Sequence, residues 1–292
     1  IVEVGGGDGR FLRLLCEAGD NRGLGFDPSA RVDSESADGR VLMRAEYFGQ
    51  DTQLESFDLL CCRQVLEHVP DLAGFMSPIA SAMEDQPGAS AYFDVPNSMM
   101  LLADLSIWDL VYEHCHYFVD VSLDALMRTS GLEPTRTWAS FGDQFLSMEL
   151  RYGEGPGEAS SASADSSRDG SPEALAVLVR EFAGHARRRS EEWRERLHGY
   201  SEAGVKVALW GAGARAVTFL AMLDVTDEVA YLVDSNSRKQ GTFMAGSAHA
   251  IHPPQHLLEE PVDRVVLLNG IYREEIATKL KELGSDAELV VA

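Results

Sequence analysis

Positive charge is what this sequence has least of. Only Lys206, Lys239, Lys279 and Lys281 are lysines, and 47 acidic residues against 25 basic ones leave a formal charge of -22. So acidic a surface repels nucleic acid and anionic membranes, so neither partner is expected, and any phosphate must be held by local groups. Long hydrophobic runs are missing too. Nothing approaches the roughly 18 consecutive apolar residues of a membrane helix, and no basic-then-apolar leader opens the chain, so the expectation is a cytoplasmic protein. Cysteine is scarce: Cys16, Cys61, Cys62 and Cys115 form no CxxC pair, and they are expected to be reduced thiols that build no metal site. No methionine precedes Ile1, which reads as lying inside a core strand; the expectation is that upstream sequence is missing.

What is present is a chain of 292 residues, 45% hydrophobic, long enough for two cores. Residues 1–152 alternate short apolar runs with helical patterns, the mark of a parallel sheet with crossover helices. IVEV, LGFD, FDLLCC and SAYFDV read as successive buried strands, LLADLSIWDLV as a helix, and TRTWASF with QFLSMELRY as closing strands, one of them antiparallel. Residues 153–171 are rich in Ser, Gly and acid and read as a flexible linker; 172–203 read as a long connecting helix with Leu175, Leu178, Val179 and Phe182 on one face. Residues 204–292 restart the alternation as KVALWGAG, ARAVTFLAML, VAYLVDSN, DRVVLLNG and YREEIATKLKELG. The expected fold is α/β: a Rossmann-like domain followed by a second, smaller one.

In EVGGGDGRFLRLL, Gly5, Gly7 and Gly9 follow a strand and open a helix, baring backbone where a ligand must come close to the helix N-terminus. A dinucleotide fingerprint would put its third glycine at position 10, which is Arg10. The spacing E-x-G-x-G-x-G, led by Glu3, resembles motif I of class I S-adenosylmethionine (SAM) methyltransferases. Asp27, ending the next strand, stands where an acid would take ribose hydroxyls.

FDLLCC is apolar throughout, so Arg63, Gln64 and His68 emerge at the carboxyl edge of a central strand, where open α/β sheets bind ligands. Gln64 and His68, four apart, would share a face if that turn were helical. The densest chemistry is VYEHCHYF at 111–118. If extended, it puts Tyr112, His114 and His116 on one face and Glu113, Cys115 and Tyr117 on the other.

FDLLCCRQVLEHVPDLAGF, YEHCHYF followed by VSLDALMRTSGL, WGAGARAVTFL and VDSNSRKQGTFMAG together resemble the bacterial C-methyltransferases that act on nucleotide-linked keto-deoxysugars. The resemblance covers nearly the whole chain. It implies a SAM domain, a C-terminal Rossmann-like domain, and an N-terminal cysteine-rich zinc module that this sequence does not contain, so zinc is expected only in a missing upstream segment. The family's paired asparagine and histidine fall on Gln64 and His68, and its E-H pair on Glu113 and His114. Its tyrosine two residues before the glutamate falls on Val111, with Tyr112 beside Glu113.

Methylating carbon requires a base to take the proton next to a ketone and a partner for the enolate oxygen. The reading assigns His114 as base, Glu113 to position the sugar, His68 and Gln64 as hydrogen-bond partners of the oxygen, and Tyr112 as a further candidate. Glu3, Gly5, Gly7, Gly9, Asp27 and Arg63 are expected to bind SAM. Gly211, Gly213, Arg215 and Lys239 are expected to hold the nucleotide sugar's phosphates. No metal ligand is assigned, and a monomer or homodimer is expected. The alternatives are an O- or N-methyltransferase, which needs no carbon-acid base, a SAM-binding protein with a decayed site, or an NAD-dependent oxidoreductase.

Overall fold

The computed structural model describes residues 1–30, 34–35, 39–153 and 171–292. Residues 154–170, almost all of the expected linker, lie outside the described residues. The chain divides into two compact units: Ile1–Met100 with Glu113–Leu175, and Leu101–Tyr112 with Ala176–Ala292.

The first unit contains β1 (Val2–Val4), α1 (Arg10–Glu17), β2 (Gly23–Phe26), β3 (Ser34–Glu35), β4 (Val41–Arg44), β5 (Leu59–Arg63), α2 (Leu72–Glu84) and β6 (Ser90–Pro96). After α3 (Ser98–Ala103) come α4 (Asp120–Thr129), β7 (Leu132–Ser140) and β8 (Phe145–Tyr152). Its sheet runs β3-β4-β2-β1-β5-β6-β8-β7. Strand β1 lies parallel between β2 and β5, and β8 runs antiparallel between β6 and β7. A strand with neighbours on both edges and layers on both faces is buried along its length, which is why LLCC is apolar throughout; β1 is buried likewise, with Glu3 the one acid between two valines. Leu60, Ile79, Ala91, Phe93 and Leu123, all fully buried, form the middle of the core.

The four expected strands form as β1, β2, β5 and β6, and the closing pair as the β7-β8 hairpin. Strand β4, the VLMR segment, is an addition: four residues after a polar stretch give too short a pattern to read.

In the second unit α5 (Pro172–Glu202), which starts in the first, leads to β9 (Val207–Trp210), α6 (Ala214–Leu223), β10 (Tyr231–Val233), β11 (Ile251–His252), α7 (His256–Glu259), β12 (Arg264–Leu267), α8 (Arg273–Leu283) and β13 (Glu288–Val291). The sheet order is β11-β10-β9-β12-β13, all parallel. Residues 101–112 read from sequence as part of the first domain, but they group here with the second. The reason is local. Trp108 packs edge-on against Phe219 at 4.7 Å between ring centroids, Trp193 of α5 meets the same ring at 5.5 Å, and Asp109 pairs with Arg215. The helix expected over LLADLSIWDLV is also interrupted: Leu105 takes a left-handed φ of 56°, and only a 3-10 turn at Ile107–Asp109 follows.

Candidate active site

Strands β1 and β5 are parallel neighbours, so the loop after β1 and the turn after β5 leave the same edge of the sheet. They also touch. Gly5 has φ 78°, and a Cβ there would come within 2.2 Å of Val65, so only glycine lets the loop seat against the turn. Gly9 is constrained likewise by Met43, whereas Gly7 faces open space.

The loop is locked from β2. Gly5 donates its N–H to the Phe26 carbonyl at 2.8 Å, and Gly7 donates to Asp27 Oδ2 at 2.7 Å. Asp27 Oδ1 accepts from the Ser29 N–H at 2.7 Å and the Ser29 hydroxyl at 2.6 Å. The acid assigned to ribose therefore holds the loop as well, and its oxygens have lone pairs to spare for a hydroxyl.

Glu3 is buried under the loop, with Oε2 making no hydrogen bond. Burial raises its pKa above the usual carboxylate value, offset in part by the Leu12 backbone N–H and the Arg63 guanidinium. A buried acid with an unused oxygen, an open Gly7, and an α1 N-terminus without a side-chain cap fit a ligand carrying an amino acid group and a ribose. Arg63 is turned partly away from this role: its Nε donates to Asp94 Oδ2 at 2.8 Å, and its guanidinium lies 4.1 Å from the centre of the Phe11 ring.

Past Arg63 the chain does not form the helical turn that would align Gln64 with His68. Gln64 takes a left-handed φ of 54° and is exposed, and the helical turn is the short 3-10 segment Leu66–His68. Residues 111–118 correct a second expectation, since they form turns and bends rather than an extended strand. Their backbone is stapled to the 3-10 turn: Cys115 N–H donates to the Glu67 carbonyl at 2.7 Å and His116 N–H at 3.3 Å, while His68 Nδ1 stands 3.3 Å from the Glu113 carbonyl.

This bend brings His114 over His68, edge to face with ring centroids 4.9 Å apart, and near Tyr117 at 6.1 Å. Glu113 is exposed, and its contact with His68 is through its backbone. Tyr112 is 91% exposed and falls in the second unit.

Glu67 was not singled out from the sequence. It is 2% exposed, Oε2 has no partner, and one ligand-type atom from each of Glu67, His68 and His114 lies within 4.8 Å of the others. Burial pushes its carboxyl up to about 7, with its own backbone N–H opposing the rise and the Asp94 charge adding to it. The legible signal was an acid immediately before a histidine, just past an all-apolar strand. Among the described residues no cysteine joins such a set, and burial pushes the Cys61 thiol up to about 12.

In the second unit Gly211 donates its N–H to the Val233 carbonyl and Ala212 to Asp234 Oδ2, both at 2.8 Å. Lys239 Nζ donates to the Ala212 carbonyl at 2.8 Å and stands 3.5 Å from Asp234 Oδ2. Arg215 makes a two-pronged contact with Asp109 at 2.5 and 2.9 Å. The cations expected at a diphosphate thus already face carboxylates, and Gly211 and Gly213 serve a turn whose donor is used by Asp234.

A family model described as a methyltransferase domain matches residues 1–137, and one described as a C-methyltransferase C-terminal domain matches 174–292. The chain is 26% identical to the C-methyltransferase NovU of Streptomyces niveus, over 97% of its own length and 69% of that protein. It is 30% identical, over 45% of its length and 61% of the relative, to a ubiquinone biosynthesis O-methyltransferase of Hydrogenovibrio crunogenus. Among solved structures, the 1,6-didemethyltoxoflavin-N1-methyltransferase of Burkholderia thailandensis aligns at 19% identity over 52% of this chain and 70% of that one, with a TM-score of 0.41.

Proposed function

We propose that the chain is a SAM-dependent C-methyltransferase that joins a methyltransferase domain to a C-methyltransferase C-terminal domain, and that it methylates the carbon next to the ketone of a nucleotide-linked, TDP-type keto-deoxysugar. The observation that carries this reading is the His68–His114 pair at the edge of the sheet that also bears the glycine loop. Carbon methylation needs a base near neutral pH, and imidazole supplies one.

When bound, SAM supplies a methyl group on a sulfonium centre, ready for transfer to a nucleophile. The chain's own residues do the rest. The Gly7–Asp27 hydrogen bond fixes the loop, and Asp27 and Glu3 offer partners for a ribose and an amino group. His114 takes the proton from the carbon next to the ketone; the C–H electron pair moves into the enolate, and its oxygen accepts a hydrogen bond from His68. The enolate carbon so formed would be the nucleophile for that methyl group, with the thioether of S-adenosylhomocysteine as the leaving group. Glu113 and Gln64, both exposed, are left as contacts to the sugar.

The test is deuterium exchange in D2O at the carbon next to the ketone of a TDP-4-keto-6-deoxyhexose, with S-adenosylhomocysteine present. Wild type is expected to exchange above the no-enzyme background, and His114→Ala to lose roughly a hundredfold or more while still binding S-adenosylhomocysteine. Exchange by His114→Ala within a few-fold of wild type removes it as base. No exchange by wild type favours O- or N-methylation, or binding without turnover.

A further inference from the structure

The orphaned Glu67 carboxyl is the group that the mechanism above does not use. An ionised carboxylate buried without a partner is too costly to persist, so Glu67 must hold a proton or exchange one with a neighbour. The groups that face it are few. From its own turn comes His68; from the bend at 111–118 comes His114; from β6 comes the charge of Asp94, which opposes ionisation; and from β5 comes the buried Cys62 thiol, itself pushed up by burial first and then by Glu67. Only the two imidazoles can take a proton from it near neutral pH. The backbone fixes this arrangement, because the Glu67 carbonyl accepts from both Cys115 and His116 and so holds the bend carrying His114 against the turn carrying Glu67.

We propose that Glu67 is the positioning residue of the His68–His114 pair, its buried carboxyl sharing one proton with the two imidazoles gathered around it. Glu67 closes the remaining gap by turning its carboxyl or through one bridging water. When His114 takes a proton from carbon, the site as a whole gains that one proton and one positive charge, which the negative charge of the enolate matches; the shared proton can then rest on His68 with Glu67 ionised beside it. This deepens the carbon-methylation reading and rests on it for the catalytic role, though not for the coupling itself.

The test therefore has an arm without substrate. In the full chain, 15N NMR of the imidazole rings is followed against pH for wild type, Glu67→Gln and Glu67→Asp. The His68 and His114 signals of the wild type are expected to show an extra inflection near 7, where burial places the Glu67 carboxyl; Glu67→Gln should abolish it and Glu67→Asp retain a displaced one. In the exchange assay Glu67→Gln should cost roughly 10–100-fold, a share of what positioned acid–base groups supply, with its dependence on pH around 7 flattened. Ring titrations that are the same in wild type and Glu67→Gln overturn the proposal. So does stoichiometric binding of added Zn2+ or Mn2+ that is lost in Glu67→Gln, because the three groups would then serve a cation. Coupled rings with no exchange in any form leave Glu67 in this role and remove the sugar substrate.

Discussion

Glu67 ties stability to pH as well as proton transfer to geometry. Its folded-state carboxyl sits at about 7, above the ordinary value of 4.5, because burial disfavours the charged form. A raised carboxyl stabilises the fold below its unfolded value, and that contribution is lost as pH rises through the folded one. Over this window the loss is about 3 kcal/mol from this one group. Urea denaturation of wild type and Glu67→Gln at about pH 5 and about pH 8 isolates the effect, since every other titrating group is common to both. The wild type should lose stability relative to the variant at the higher pH; a constant difference would mean that the carboxyl is solvated. At this scale the sequence showed His68 because it follows an all-apolar strand, and His114 because it lies in the dense VYEHCHYF stretch, on the E-H pair of the family it resembles. It did not show their contact, since the spacing of 111–118 suggests an alternating strand while the Cys115 and His116 staples impose a bend.

The two strand-glycine-helix openings are built alike. In each, the first glycine donates to the carbonyl ending the second strand, Gly5 to Phe26 and Gly211 to Val233, and a later N–H donates to the acid that follows, Gly7 to Asp27 and Ala212 to Asp234. They differ in what closes the acid. Among the described residues the Asp27 carboxylate accepts from Gly7 and Ser29, whereas that of Asp234 also has Lys239 within 3.5 Å. Asp27→Ala is therefore expected to weaken S-adenosylhomocysteine binding by roughly 10–100-fold in titration calorimetry, the worth of one hydrogen bond to a charged group, and Asp234→Ala to leave it within about twofold. An equal loss in both would place the ligand's contacts elsewhere. Glycine spacing made both openings legible, but the locks depend on strand register, which a sequence does not display. Neither did β4 and β11, four and two residues long, rise above their surroundings.

For the whole molecule, the charge of -22 is the dominant long-range force. Self-repulsion opposes the folded state, and salt screens it, the Debye length falling from about 30 Å at 0.01 M to about 8 Å at 0.15 M. The melting temperature should rise across that range; a fall would show that paired charges outweigh the net excess. Alternating pattern and glycine loops conveyed two α/β units, but not that residues 101–112 belong with the second. That grouping comes from Trp108 on Phe219 and Asp109 on Arg215, contacts about a hundred residues apart in sequence.

The most direct measurement is where the methyl group goes. Incubating the chain with 13C-methyl SAM and a TDP-4-keto-6-deoxyhexose, then reading the product by carbon NMR, distinguishes a methyl bonded to carbon from one bonded to oxygen or nitrogen. The account predicts a methyl on the carbon next to the ketone, lost in His114→Ala. A label on oxygen or nitrogen, or carbon labelling that survives in His114→Ala, would contradict it.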